Sequence, residues 1–239
     1  PDFCRMLKTI PGLRELCLTT NGSLLPDAAD ELRAAGVDRL NISLDTLNPE
    51  KFAYITRLGR LEDVMRGLRA AEEAGFQKLK INCVLIGGFN DGEIGDFVGL
   101  TQEHPWEVRF IELMPMGPCA GWKPAAFLSG DTVLQRCPRL AFCGTDGVAR
   151  LYQLPGAAGR VGLISPMSHA FCASCSRIRL TADGNLKPCL HSGLEIPLRG
   201  LHGEALDRAF AEAAARKPAG HALGQRGSET NRCMNEIGG

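Results

Sequence analysis

The sequence predicts an α/β fold: a partial TIM-type (β/α) barrel followed by a smaller, loop-rich region. Three observations predict it. Short β-branched runs alternate with amphipathic helical stretches from residue 1 to about 115. That alternation belongs to parallel sheets and barrels. Within the strand segments a polar residue recurs at every second position, although strands buried on both faces normally read as continuous Val, Ile and Leu. Beyond residue 115 Gly, Pro and Cys dominate and the alternation stops.

In chain order, Pro1 opens a helical stretch, PDFCRMLKTI, at a position suited to a first turn. Because the chain starts with Pro rather than Met inside a helix, the sequence is expected to be truncated upstream. Strands are predicted at 15–20 (ELCLTT), 38–44 (DRLNISL), 79–86 (LKINCVLI) and 107–113 (EVRFIEL), and helices at 27–35, 61–74 and 91–103. Pro26 marks one helix start, Gly36 and Gly75 mark two ends, and Asn90 or Asp91 is expected to cap the third helix. Cys17, Thr19 and Asn21 share one strand face, as do Asn41, Ser43 and Asp45, while Lys80 shares one with Asn82. A ligand-filled lumen explains such a face, with Leu and Ile packing outward against helices. An antiparallel sheet with one wet face is the alternative, and the helix-sized connections argue against it. Lys80 and Arg109 both need anionic partners if they point inward.

In the second region a short helix is predicted at 131–137, strands at 148–154 and 160–164, and an Ala-rich helix at 201–216. The division reads as residues 1–115 for the partial barrel and 116–239 for the remainder. With 239 residues the chain can bury a substantial core. Lys plus Arg and Asp plus Glu number 27 each, so the formal net charge is zero. No global basic field exists to draw in nucleic acid or an anionic membrane. No export signal and no apolar run of about eighteen residues is found, so a cytoplasmic location is expected. The ten cysteines are spread along the chain rather than arranged as a small disulfide framework. Cys17, Cys83, Cys137 and Cys143 read as buried or packing thiols.

Cys172, Cys175 and Cys189 are the exception. They lie in FCASCSRIRLTADGNLKPCL at 171–190, with Arg177 and Arg179 between them. Three thiolates suit an iron–sulfur cluster with one open iron, or a zinc site completed by His191 or His169. Spacing alone leaves iron–sulfur and zinc open. The two arginines add cationic forks for an anion.

Taken with LTTNG at 18–22, RLNISLDTL at 39–47, LKINCVLIGGFND at 79–91, VRFIELMPMG at 108–117 and IGG at 237–239, the chain resembles the MoaA family nearly throughout. These are radical S-adenosylmethionine enzymes, the GTP 3',8-cyclases of molybdenum cofactor biosynthesis. The resemblance implies an incomplete barrel of the radical S-adenosylmethionine type, its first strand–helix units missing here, followed by a C-terminal region holding a 4Fe-4S cluster. Cys172, Cys175 and Cys189 match that cluster's ligands, with the open iron binding the guanine of GTP. Thr19, Lys80, Arg109, Arg177 and Arg179 match GTP-contacting positions, and Ser43 and Met114 match contacts to S-adenosylmethionine. Arg109 and the tail residues Gly238 and Gly239 match positions that influence catalysis. A backbone without side chains can approach a ligand closely.

What the resemblance further implies is reductive cleavage of S-adenosylmethionine, hydrogen abstraction at C3' of GTP and closure onto C8 of guanine. An electron donor, a homodimer and cyclic pyranopterin monophosphate synthase as pathway partner come with it. The departure is at the start: the family's second 4Fe-4S cluster needs Cys-x-x-x-Cys-x-x-Cys, and no such spacing occurs here. The polypeptide as written is therefore expected to be inactive. A radical enzyme acting on peptides is one rival, disfavoured by the arginines between the cysteines and by the terminal IGG. A non-enzymatic zinc module is the other. Two Trp and two Tyr give little aromatic surface for nucleic acid.

Overall fold

The computed structural model describes residues 1–221, 223 and 227–237, which form two compact units. The first comprises Pro1–Leu113 and Ala125–Ser165. Its scaffold is a seven-stranded open sheet made of β1 (Cys17–Thr20), β2 (Arg39–Ser43), β3 (Leu79–Leu85), β4 (Glu107–Glu112), β5 (Ala141–Asp146), β6 (Ala149–Gln153) and β7 (Arg160–Ile164). The order is β1-β2-β3-β4-β7-β6-β5. Pairing is parallel from β1 through β4 to β7, then antiparallel across β6 and β5.

Each parallel step needs a crossover, and the helices supply them: α2 (Leu25–Ala34) after β1, α3 (Pro49–Thr56) and α4 (Leu61–Glu73) after β2, α5 (Ile94–Glu103) after β3. A further helix, α1 (Asp2–Lys8), precedes β1, and α6 (Asp131–Arg136) follows β4. Their apolar stripes meet one face of the sheet, where Leu40, Ile42, Ile81, Val108, Phe110, Val161 and Leu163 are buried. Phe97 of α5 meets Phe110 edge-on with ring centroids 6.0 Å apart, a favoured aromatic geometry.

Residues 125–165, expected in the second region, complete the first unit instead. The reason is pairing: β7 takes the place beside β4, with Val108 opposite Val161 and Phe110 opposite Leu163. Three local expectations also change. Asn90 stands at the N-cap position of the short 3-10 turn Asp91–Glu93 but gives it no side-chain cap; it is buried, its amide donating to the carbonyls of Asp45 and Val84 at 2.7 and 2.8 Å while its Oδ1 accepts from Ile86 N. Cys143 is exposed rather than packed, because β5 ends the sheet and a bulge lies between Phe142 and Gly144. Cys17 is half-buried rather than buried.

Helix α4 buries Leu61, Val64, Gly67, Leu68 and Ala71 along one face. At Gly67 a Cβ would stand 2.1 Å from the carbonyl oxygen of Gly22, in the loop leaving β1. Gly67→Ala gains about 1 kcal/mol of helix propensity, but the clash with backbone pushes overpacking to its upper range of about 3 kcal/mol. A net loss of about 2 kcal/mol is expected in urea denaturation.

The second unit comprises Met114–Pro124 and the chain from Pro166 on. It holds a three-stranded sheet of β8 (Arg179–Leu180), β9 (Asn185–Lys187) and β10 (Ile196–Pro197), with α7 (Glu204–Ala215). Leu186, Ile196, Ala209 and Ala213 form its small apolar core.

Candidate functional site

The register of the first sheet lines up the polar positions across strands. Thr19, Asn41, Lys80 and Glu107 are neighbours in one row, and Ser43, Asn82, Arg109 and Gly162 in the next. Because side chains alternate, both rows occupy the face opposite the helix-covered core. Asn41 Nδ2 donates to Thr19 Oγ1 at 3.3 Å. Thr19 and Ser43 are exposed, and the buried Oδ1 of Asn82 has no hydrogen-bond partner.

Lys80 is 4 % exposed, so its charge must be compensated. Its ammonium bonds the carboxylate of Asp146 and stands 3.4 Å from Glu107 Oε1. Arg109 completes the cluster, donating from Nε to Glu107 and from Nη2 to Asp146 Oδ2 at 2.7 Å. The hydrogen bond from Lys80 holds the Asp146 carboxyl below its ordinary range, burial opposes this, and the charges of Lys80 and Arg109 reinforce it. Glu107 and Asp146 are the residues that sequence reasoning missed. Glu107 was findable from the parallel register of two neighbouring strands; Asp146 lies 66 residues from Lys80 in a turn signal with no motif.

At the end of β2, Asp45 accepts from Val84 N at 2.8 Å. Burial raises its pKa, and the Val84 N–H opposes that rise. This carboxylate ties β2 to β3 where the polar rows end.

In the second unit, Cys172 and Cys175 sit one turn apart on a 3-10 segment, Cys172–Ser174, with Cys175 N bonded to Cys172 O at 3.1 Å. All three motif cysteines are half-buried free thiols. Arg177 is exposed; Arg179 is partly buried and starts β8. Burial lowers the Arg179 pKa and Arg177 lowers it further, while Cys175 and Cys189 act in the opposite sense. Among the described residues no three His, Cys, Asp or Glu side chains converge as ligands of one metal ion. His191, the candidate fourth zinc ligand, instead meets the ring of His221 at 5.4 Å, and burial beside His221 and Arg179 lowers its pKa to about 4.

The last described segment is fastened to this motif. Arg179 Nη1 donates to Ile237 O at 3.0 Å. Arg232 grips Glu195 through Nε at 2.7 Å and Nη2 at 2.6 Å, and reaches Asp183 at 2.7 Å. The Arg232 hydrogen bond draws the Asp183 pKa down to about 2. Fully buried Lys187 joins Glu195, Ser192 O and Thr230 Oγ1. Lysine cannot reproduce a bidentate fork. Both Arg232→Ala and Arg232→Lys are therefore expected to speed amide exchange across 228–237 while leaving β1–β4 unchanged, as read by hydrogen-exchange mass spectrometry. Gly238 and Gly239 lie outside the described residues.

Two family models match the chain, with a boundary in sequence that differs from that of the two compact units. Residues 1–101 match the Radical SAM superfamily and residues 106–223 match Molybdenum Cofactor Synthesis C. The GTP 3',8-cyclase of Alkaliphilus oremlandii is 45% identical over 244 residues, covering 100% of this chain and 76% of that protein. That of Peptoclostridium acidaminophilum is 48% identical over 241 residues, 98% and 74% respectively. The chain belongs to the GTP 3',8-cyclase family.

By family it is a radical S-adenosylmethionine enzyme, a lyase, of molybdenum cofactor biosynthesis. Iron–sulfur clusters and S-adenosylmethionine are the family's general cofactors. Among the described residues no helix is long and apolar enough to cross a membrane. Of the site residues expected from the family, the first unit holds Thr19, Ser43, Lys80 and Arg109 on one sheet face. The second holds Met114, Arg177, Arg179 and the three motif cysteines.

Proposed function

We propose that this chain serves the conversion of GTP to (8S)-3',8-cyclo-7,8-dihydroguanosine 5'-triphosphate. The observation that carries the reading is the Arg179 guanidinium, which belongs to the segment between Cys175 and Cys189 and bonds the carbonyl next to the terminal glycines at 3.0 Å. An anionic substrate, the cysteine segment and the tail thereby share one residue.

Cys172, Cys175 and Cys189 would hold a 4Fe-4S cluster. Their chemistry fits it: three half-buried free thiols from one short segment, a soft donor set suited to iron–sulfur ligation. When bound, such a cluster offers one iron without a protein ligand, to which the guanine can attach. Arg177 and Arg179 supply forks for the polyphosphate, and Lys80 supplies a point charge. Arg109 holds an anionic group of the substrate, and Thr19 offers it a hydroxyl. Ser43 and Met114 contact S-adenosylmethionine, and Gly238 and Gly239 approach the substrate through backbone alone. Proteins of this kind contribute position and exclusion of water rather than the radical step itself. The ten cysteines contain no Cys-x-x-x-Cys-x-x-Cys run, so the residues of this sequence do not fit the cluster that reduces S-adenosylmethionine, and no step is assigned to them there. An electron donor, a homodimer, a cytoplasmic setting and cyclic pyranopterin monophosphate synthase as the next enzyme belong to the same proposal.

The test is anaerobic reconstitution with iron and sulfide, followed by metal analysis and electron paramagnetic resonance with and without GTP. About four irons per chain and a GTP-sensitive spectrum are expected. Stoichiometric zinc with no response to GTP would overturn the reading.

A further inference from the structure

We propose that Asp146 is a resident stand-in for a substrate phosphate, occupying the Lys80 and Arg109 cations until a polyphosphate displaces it, and so selects triphosphates over singly phosphorylated ligands. This rests on the reading of Lys80 and Arg109 as polyphosphate contacts and adds the residue that controls access to them.

The geometry is that of an anion site already filled. One carboxylate oxygen, Oδ2, bonds Lys80 Nζ and Arg109 Nη2 together, which is how a phosphate oxygen bridges two cations. Lys80 and Arg109 are buried at side-chain exposures of 6 and 12 %, whereas Asp146 is 45 % exposed. The aspartate is therefore the group between the cations and solvent, and a ligand reaches Lys80 only when it moves. Its position allows that movement. Asp146 is the last residue of β5, the end strand, and Gly147 follows it at φ 58° in the turn to β6. Glu107, in contrast, is fixed within β4, between β3 and β7.

A second observation points to an anion. Arg39, on β2, also acts on the Asp146 carboxylate, and its buried Nε has no hydrogen-bond partner. A buried donor left unsatisfied is costly, and a further acceptor oxygen at this place would relieve it. Around Asp146 the charges balance only when Arg39 and its partner Glu15, 3.3 Å away, are counted: Lys80, Arg109 and Arg39 against Glu107, Asp146 and Glu15. A ligand with one phosphate exchanges one anion for another and gains little. A triphosphate brings extra charge to the cations once Asp146 has swung out. Apparent affinity falls in proportion to the fraction of molecules in which the site stands open, so the cost falls on every ligand and only the more highly charged ones overcome it.

Titration calorimetry of the full chain with inorganic tripolyphosphate and inorganic phosphate, for wild type, Asp146→Asn and Lys80→Met, tests this. Asp146→Asn is expected to bind tripolyphosphate about tenfold more tightly and to bind inorganic phosphate measurably. Unchanged or weaker binding of both would overturn the stand-in role. Lys80→Met is expected to lose most tripolyphosphate binding; if it binds as wild type does, the polyphosphate reading of Lys80 fails, a separate outcome. Should Asp146→Asn not fold, hydrogen exchange on the wild type decides. Saturating tripolyphosphate is expected to speed exchange of amides 141–149 as the turn is released, and unchanged or slower exchange there would overturn the proposal.

Discussion

Cys189→Ala is expected to remove iron from the reconstituted chain, from about four atoms to below about one. Three protein ligands are the minimum the motif offers, so each loss leaves two irons without protein thiolates. Cys189 is also the motif thiol whose neighbours in the chain are most firmly held. Two residues before it, fully buried Lys187 anchors β9 to Glu195, Ser192 O and Thr230. Two residues after it, His191 packs on His221. Cys137→Ala is the control: that thiol packs against the core of the other unit and should leave iron unchanged. Iron retained by Cys189→Ala, with Cys137→Ala behaving identically, would remove Cys189 from the ligand set.

Removing the Glu93 carboxylate is expected to cost about 3 kcal/mol of folding stability. Its Oε2 accepts from Thr46 Oγ1 and Leu47 N, both at 2.7 Å, while Oε1 accepts from Lys51 Nζ at 2.7 Å. Glu93→Ala leaves a fully buried threonine hydroxyl and a backbone N–H unsatisfied at the end of β2. Glu93→Gln is milder: its one carbonyl oxygen can serve Thr46 and Leu47, but its NH2 then faces the lysine, and about 1–2 kcal/mol is lost. The pH dependence separates charge from shape. Burial pushes the Glu93 pKa up, but bonds from Lys51, Thr46 and Leu47 outweigh it and the net direction is down. A folded pKa below the unfolded one gives stability that is present above the unfolded value, about 4.3, and lost as pH falls through the folded value. Urea midpoints of wild type and Glu93→Gln should therefore converge on acidification below about pH 4. A constant gap would mean that the carboxylate's charge contributes nothing.

Strands β1 to β4 were legible because one face is polar and the other apolar, which writes a period of two into Asn41, Ser43 and Lys80, Asn82. The α4 stripe was legible for the corresponding helical reason. Helix α3 was not: Phe52 is its single buried residue, and Tyr54 lies exposed at 81 %, so no stripe marks it. Only the Asn48 cap, accepting from Glu50 N and Lys51 N, and Pro49 signal its start. Strand β5 was hidden similarly, being mostly exposed on both faces. At the site, the need of Lys80 for an anion followed from its strand position, but the anions themselves did not. Glu107 depends on register, and Asp146 on a hairpin that joins the sheet from well down the chain. The motif cysteines and Arg179 were legible as a spacing, whereas the bond from Arg179 to Ile237 depends on a chain end returning to β8.

The first unit is interrupted: residues 114–124 leave it and residues 125–165 rejoin it. Strand β4 gains its second neighbour only when β7, about fifty residues later, arrives. During synthesis a ribosome therefore releases β4 with an open edge for several seconds at about 5–20 residues per second, and the nascent sheet has to be shielded until residue 164 emerges. The same connectivity means that the chain passes between the units three times, so a single cut after Ser165 keeps the first unit whole but divides the second, whose Met114–Pro124 segment stays with the other fragment.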